Sequence, residues 1–248
     1  MPIFARQNGW AYMNFISHFY LDRRLSGSWY FLGVSTPDLV SVYNRSVRLK
    51  ARRLPVWEPG LGEGARDFRE GVLRHFEVDR FFHTSDFFHA ETRRLCVLFE
   101  EALPPGEPDR AFFVAHVLLE LVMDKLLLER DPSLAPEFYQ HLRHQGIGEI
   151  VRMTEWLAAA PLPAYGSYLE RFLSRQYLYD YVKRSQILYI LRRIMLGVGI
   201  GRTEIVVSPE FYGLVERYED ELRPRLLGSL SELRKWMDRS GQNHVPGS

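Results

Sequence analysis

AFFVAHVLLELVMDKLLL, residues 111–128, decides how the rest of the chain is read. It is apolar on nearly every side, so a helix formed here is enclosed by protein instead of lying on a surface. Its polar interruptions are His116, Glu120, Asp124 and Lys125. The first three recur at every fourth position, slightly more than one turn of about 3.6 residues, and so share one face. An ionised carboxylate taken out of water costs several kcal/mol unless it is partnered. Glu120 and Asp124 therefore need a compensating cation. Lys125 is a poor candidate for Asp124, because adjacent residues stand about 100° apart round a helix. The residues leave three solutions: a divalent metal ion, a buried hydrogen-bonded network, or an arginine reaching in from another helix.

A second stretch has the same periodicity. GVLRHFEVDRFFHTSDFF, residues 71–88, contains His75-x3-Asp79-x3-His83. Arg74, Glu77 and Arg80 lie beside this trio, so a solvated helix face is the competing reading. Two stripes of imidazole and carboxylate in one helical domain point instead to a shared polar centre of the kind that divalent-metal hydrolases use.

Composition narrows the remaining classes. The chain of 248 residues is 46% hydrophobic and 25% charged, ordinary values for a globular protein. Its net charge of +1 gives no global electrostatic case for nucleic acid or for a membrane surface. One cysteine, Cys96 in an apolar segment, fits a reducing compartment and a buried thiol. The opening MPIFARQNGW lacks the pattern of a secretory signal, and no apolar run reaches the length of a spanning helix. A cytoplasmic protein without a membrane span is the expectation.

The pattern along the chain predicts an all-α fold, a compact multi-helix bundle with C-terminal helices, forming one domain over 1–240 with a disordered tail at 241–248. NFISHFYLD (14–22) is a first helical segment, followed by a loop RRLSGSWY (23–30). Pro37 suits the first turn of the next helix, with Ser35 or Thr36 as its cap. KARRLPVWEPGLGEG (50–64) reads as a surface loop. A helix over about 65–82 carries His75, Asp79 and His83, and Thr84, Ser85 or Asp86 caps the next, which runs to Glu101. LPPGEPD (103–109) is a break with Asp109 as a cap, and Asp131-Pro132 ends the apolar helix. Shorter helices follow at 136–143 and 147–160, then a long amphipathic segment at 167–195 and a last helix from Pro209 to about Arg239. GVGIGR (197–202) follows a helix and reads as a helix stop, not a phosphate loop.

Segment 167–202 carries seven Arg or Lys residues against Glu170 and Asp180, with tyrosines interleaved. It is either an amphipathic helix with solvated arginines or a basic rim for a phosphate or an acidic partner surface. His89, His141, His144 and His244 have no partner pattern and read as surface residues.

Taken in order, NFISHFYLD, LGVSTPDLV, GVLRHFEVDRFFHTS and VLLELVMDKLL resemble the motif set of the acyl-carrier-protein phosphodiesterase family, all-α hydrolases akin to the HD-domain phosphohydrolases. The matching positions are Asn14, Phe15 and His18 in the first block, and Gly33 and Asp38 in the second. Gly71, Val72, His75 and Asp79 match the third, and Glu120 and Asp124 the fourth. Tyr177 or Tyr181 leading to Leu191, Arg193 and Ile194 is similar to a later tyrosine and Leu-x-Arg-Met pattern. The resemblance covers about residues 13–235. It departs at His83 and Glu120, where the family has aspartates, at an additional imidazole, His116, and at Leu196 to Gly199, which replace a run of arginines.

The resemblance implies hydrolysis of a phosphodiester, with phosphopantetheine released from a carrier protein. It implies one or two divalent ions held among His18, Asp38, His75, Asp79, His116 and Asp124, with His83 and Glu120 as further ligands. One of His83 or Glu120, where it is not a ligand, would be the proton-transfer group, and Arg193, Lys183 or Arg184 the clamp on the phosphate. Imidazole-rich ligation favours Mn, Fe or Zn over Mg. An acyl carrier protein is the implied partner, with a small nucleotide or phospholipid head group as the alternative substrate. A non-catalytic helical interaction protein is the reading outside enzymology.

Overall fold

The computed structural model describes residues 14–23, 27–44, 46–102, 108–201 and 203–242, with side chains at 101–102, 108–110 and 237–242 left aside. Among the described residues the chain forms ten α-helices, four short 3-10 turns and no strand. No helix among them is long and apolar enough to cross a membrane.

The apolar segment is the centre of the molecule. Helix α5 (Pro108–Arg130) is buried continuously from Phe113 to Leu128. Helices α1 (Phe15–Asp22), α4 (Asp86–Ala102), α6 (Leu134–His144), α9 (Arg184–Gly197) and α10 (Pro209–Gln242) all pack on it. Lys125, itself buried, ion-pairs with Glu219 of α10 at 3.0 Å, which fastens the long last helix to the core. Glu91 of α4 does the same from the other side, accepting from Tyr218 and Arg225.

Helices α2 (Ser28–Tyr43) and α3 (Glu63–Thr84) make the closest helix pair. Gly33 and Gly71 face each other at the crossing. A Cβ at Gly33 would fall 2.0 Å from the Phe68 carbonyl oxygen, and one at Gly71 would fall 2.0 Å from that of Tyr30. Backbone touches backbone here, which only glycine permits. The crossing sets Asp38 and His75, each about one turn further along its helix, at the same depth.

Pro37 lies inside α2, not in its first turn, and SWY (28–30) belongs to the helix instead of the preceding loop. The tight α2–α3 packing overrides the proline's cost. Ser35 and Thr36 do not cap: their hydroxyls donate back to the carbonyls of Phe31 and Leu32. Residues 167–195 are likewise not one helix. Helix α8 (Tyr165–Arg175) stops at Gln176, which takes a left-handed conformation with φ of 48°. A 3-10 turn (Tyr177–Val182) intervenes before α9. The break lets Tyr139 accept a hydrogen bond from the backbone of Leu178 in the core.

Other expectations hold. Ser85 caps α4 by accepting from the Phe88 amide at 3.2 Å. Helix α5 ends at Arg130, before Asp131-Pro132, and α7 (Ile147–Ala158) follows α6 as expected. Gly199, with φ of 77°, closes the stop after α9. Cys96 departs from expectation: it is half-buried instead of buried, and that burial raises its thiol. The opening decapeptide, residues 103–107, His244 and the tail beyond Gln242 lie outside the described residues, as does the side chain of Asp109.

Candidate metal centre

Three helices bring His18 (α1), Asp38 (α2) and His75 (α3) together, with donor atoms all within 4.8 Å of one another. They are 4%, 6% and 5% exposed. The His18 and His75 rings stack with centroids 4.3 Å apart, and His75 Nε2 lies 3.9 Å from Asp38 Oδ1. His75 Nδ1 is 3.0 Å from the Val34 carbonyl oxygen. A carbonyl only accepts, so Nδ1 carries the proton and Nε2 presents a bare lone pair to the centre of the trio. His18 is more telling, because neither of its ring nitrogens has a hydrogen-bond partner although both are buried. Burial, reinforced by the neighbouring His75, holds His18 well below the usual imidazole range. Burial pushes the Asp38 carboxyl well up, and the Asp79, Glu120 and Asp124 carboxylates add to that. Two neutral imidazoles and a carboxyl that would ionise only beside a cation are a donor set suited to a divalent transition metal.

A second trio joins α3 to α5. His83 Nε2 lies 2.8 Å from His116 Nε2 and 3.1 Å from Glu120 Oε1, and His116 Nε2 lies 2.9 Å from the same oxygen. Glu120 is 0% exposed, and its other oxygen has no partner. Burial would raise Glu120, but His116 and His83 pull it below its usual value.

Asp79 stands between the trios, one turn from His75 and one from His83. Its carboxylate is 3.2 Å from His83 Nδ1. Burial works against ionisation of Asp79, yet the His83 hydrogen bond and the surrounding imidazoles bring it down to about 2. Burial likewise opposes a charged His83, while Asp79 and Glu120 lift it to about 10. A narrow cleft bordered by Asn14, Ser17, His18 and Asp79 opens between α1, α3 and α10. Beside it, sharing Phe82 and Leu233, is a cavity of about 300 Å³ lined by Phe81, Phe87, Ser229 and Glu232 among others.

Asp124 belongs to neither trio. Its Oδ2 accepts from the Ile16 amide at 3.0 Å, and its Oδ1 accepts from the amide and hydroxyl of Ser17 at 2.8 and 2.7 Å. Asn14 makes no side-chain cap, so Asp124 caps α1 from a different helix. These three donors hold the carboxylate at the N-terminus of α1, and Asp124 is in neither group of potential ligands. Burial nonetheless leaves Asp124 raised to about 7, against the pull of these three donors.

Helix α9 buries Ile187, Leu188, Leu191, Ile194 and Met195. Arg193, two residues beyond Leu191 and so about 200° round, is on the exposed side. Arg184 is held by Glu219 at 2.8 Å and Glu216 at 3.0 Å, and Lys183 by Asp180 at 2.7 Å, so these cations face carboxylates of the chain itself. Glu120 is sealed in the core, which does not suit the proton-transfer role expected of it, and both ring nitrogens of His83 are engaged.

Two features escaped the sequence reading. Val34 orients His75 through a carbonyl, and a backbone atom leaves no side-chain signature. Tyr168 and Tyr181 bury hydroxyls that have no hydrogen-bond partner. Burial raises both, and Asp38 is near enough to raise them further. The run of interleaved tyrosines was the available signal, but it was read together with the arginines. Of the histidines expected at the surface, His141 is half-buried against Phe19 and Phe31, while His89 and His144 are exposed.

Comparison of the chain with protein-family models, with curated proteins and with solved structures returns no match.

Proposed function

We propose that this chain is a metal-dependent hydrolase of phosphodiesters, with its ion held by His18, Asp38 and His75. The observation that carries the reading is His18: a buried imidazole with two unpartnered nitrogens, beside a bare His75 nitrogen and a carboxyl that burial keeps from ionising. Each of these is costly in an apolar core unless a cation satisfies it.

The ion supplies Lewis-acid polarisation and neutralises charge developing at phosphorus. The protein's own residues do the rest. Val34 fixes the tautomer of His75, and Asp124 fixes α1 and thereby His18. Asp79 borders the cleft next to His18 and remains ionised, so it accepts a hydrogen bond from a water entering there and orients it toward the phosphorus. The apolar walls, Leu21, Val78 and Met123, keep other water out.

Within this class the resemblance favours phosphopantetheine attached to a carrier protein. The 300 Å³ cavity beside the cleft favours a second substrate, a small phosphodiester with an apolar or aromatic arm that would lie against Phe81, Phe82 and Phe87. Hydrolysis of bis-p-nitrophenyl phosphate, with Mn or Zn added, tests the common reading. The expected outcome is turnover abolished by EDTA and lowered about a thousandfold in Asp38→Asn, since a lost ion removes several kcal/mol of transition-state stabilisation. No turnover in metal-loaded protein, for this ester or for a carrier protein bearing phosphopantetheine, would sink the hydrolase.

A further inference from the structure

We propose that His83, His116 and Glu120 form a second divalent-cation site, separate from the His18 trio and specific to the Zn, Mn and Fe class of ions. The site departs from the resembled pattern: at position 83 the family has a carboxylate, and His116 is additional to it.

The argument rests on counting protons. Three donor atoms, His83 Nε2, His116 Nε2 and Glu120 Oε1, form a triangle with edges of 2.8, 2.9 and 3.1 Å. A hydrogen bond needs one proton on each edge. If both nitrogens carry protons, each donates to Glu120, and two N–H groups then confront each other across 2.8 Å. If only His83 carries one, the His116 lone pair faces the Glu120 oxygen across 2.9 Å. If only His116 carries one, the His83 lone pair faces that oxygen across 3.1 Å. With Glu120 ionised, every protonation state of the two imidazoles leaves at least one edge repulsive. A single cation above the triangle satisfies all three edges at once.

The surroundings agree with that. Asp79 accepts from His83 Nδ1 at 3.2 Å, the carboxylate–imidazole relay that orients Nε2 toward a metal. Glu120 Oε2 is buried without a partner, so a second carboxylate oxygen is also available to an ion. Tetrahedral sites with bonds of about 2.1 Å hold their ligand atoms about 3.4 Å apart. The triangle therefore needs to open by only a few tenths of an ångström. Two imidazoles and one carboxylate are soft enough to prefer Zn, Mn or Fe to Mg or Ca, and three protein ligands leave a position open. Asp79 would then lie between two ions.

The site rests on geometry independent of the hydrolase reading, and its test does not use turnover. Chelator-stripped full-length protein would be dialysed against Zn or Mn and its bound ions counted. Two ions per chain are expected in the wild type, and one in His116→Ala, Glu120→Gln and Asp38→Asn alike. Should His116→Ala fail to fold by circular dichroism, His116→Asn keeps a polar side chain of similar reach, and the wild-type count stands by itself. One ion in the wild type, or two in both His116→Ala and Glu120→Gln, would overturn the second site. Two ions without hydrolysis would remove the proposed function and leave this site intact; one ion with hydrolysis would do the reverse.

Discussion

The two trios solve the same problem, charge-bearing groups inside a helical core, in opposite ways. The His18 trio takes one residue from each of three helices, and its donor atoms stand apart, within 4.8 Å. The His83 trio takes its residues from two helices, two of them one turn apart on α5, and its atoms have closed to about 3 Å. Separated donors with unmet lone pairs depend on helix packing to stay in place. Donors one turn apart on a single helix are set by the helix itself. The first trio should accordingly be sensitive to changes far from it, and the second to changes within it.

The largest effect is expected at the glycine crossing. Gly33→Ala would drive a Cβ to within 2.0 Å of the Phe68 carbonyl oxygen, a backbone atom with no side-chain freedom to yield. Overpacking of flexible groups costs about 1–3 kcal/mol, so a backbone clash should cost about 3 kcal/mol or more. Because α2 must move, the ion at Asp38 should be lost while the ion at His116 and Glu120 remains. Denaturant unfolding and ion counting would check this. Loss of both ions together, with the fold retained, would break the distinction between the trios.

Asp124 sharpens the comparison from the α1 side. Asp124→Ala removes the acceptor for three donors and should cost about 2 kcal/mol, at the upper end of measured cap losses. Both ions should still bind, with the His18 site weakened because α1 loses its anchor. An apparent stoichiometry one ion lower at saturating metal, in a stable variant, would return Asp124 to the ligands.

The trios should also respond to pH in opposite directions when metal is stripped. Burial holds His18 and His75 below the usual imidazole value; His75 adds to this at His18, whereas Asp79, Val34 and Glu120 work against it at His75. Their unfolded forms bind protons more readily, so this region loses stability as pH falls through about 6.5. His83 is raised to about 10, so its contribution is complete below about 6.5 and is lost as pH rises toward 10. Melting temperatures of metal-free protein should decline at both ends of this range. His83→Asn should remove the alkaline decline, and saturating Zn should flatten it, since an ion on Nε2 displaces the proton. An alkaline decline unchanged in His83→Asn would mean that the second trio is not the titrating unit.

Helix periodicity made the bundle and most of the centre legible. Residues four apart on an apolar helix define a polar stripe whatever the tertiary structure, so His75, Asp79, His83, His116 and Glu120 could be found without it. What periodicity cannot supply is which stripe faces which. Asp124 shares its stripe with His116 and Glu120, yet two turns beyond His116 that face has moved off the trio and meets the N-terminus of α1 instead. Pro37 is misleading for a related reason. Its local preference is for a helix start, but the Gly33–Gly71 crossing holds α2 helical through it. Tertiary contact outweighs propensity at both places, and neither contact has a signature in one sequence.

The smallest expected effect is none, and it bears on the arginines of segment 167–202. Their density suggested a clamp beside the metal. Helix α9 turns its aliphatic face to α5 and leaves Arg193 on the opposite side, outside both trios. The crevice beside His18 and Asp79 lies between α1, α3 and α10, and no residue of α9 borders it. Arg193→Ala should therefore change unfolding free energy by no more than about 1 kcal/mol, the most that an exposed ion pair contributes. Hydrolysis of a small diester should change less than about twofold, far below the loss that follows removal of a group stabilising the transition state. A tenfold fall in kcat with small diesters would instead place Arg193 over the phosphate and require α9 to close toward the cleft when substrate binds.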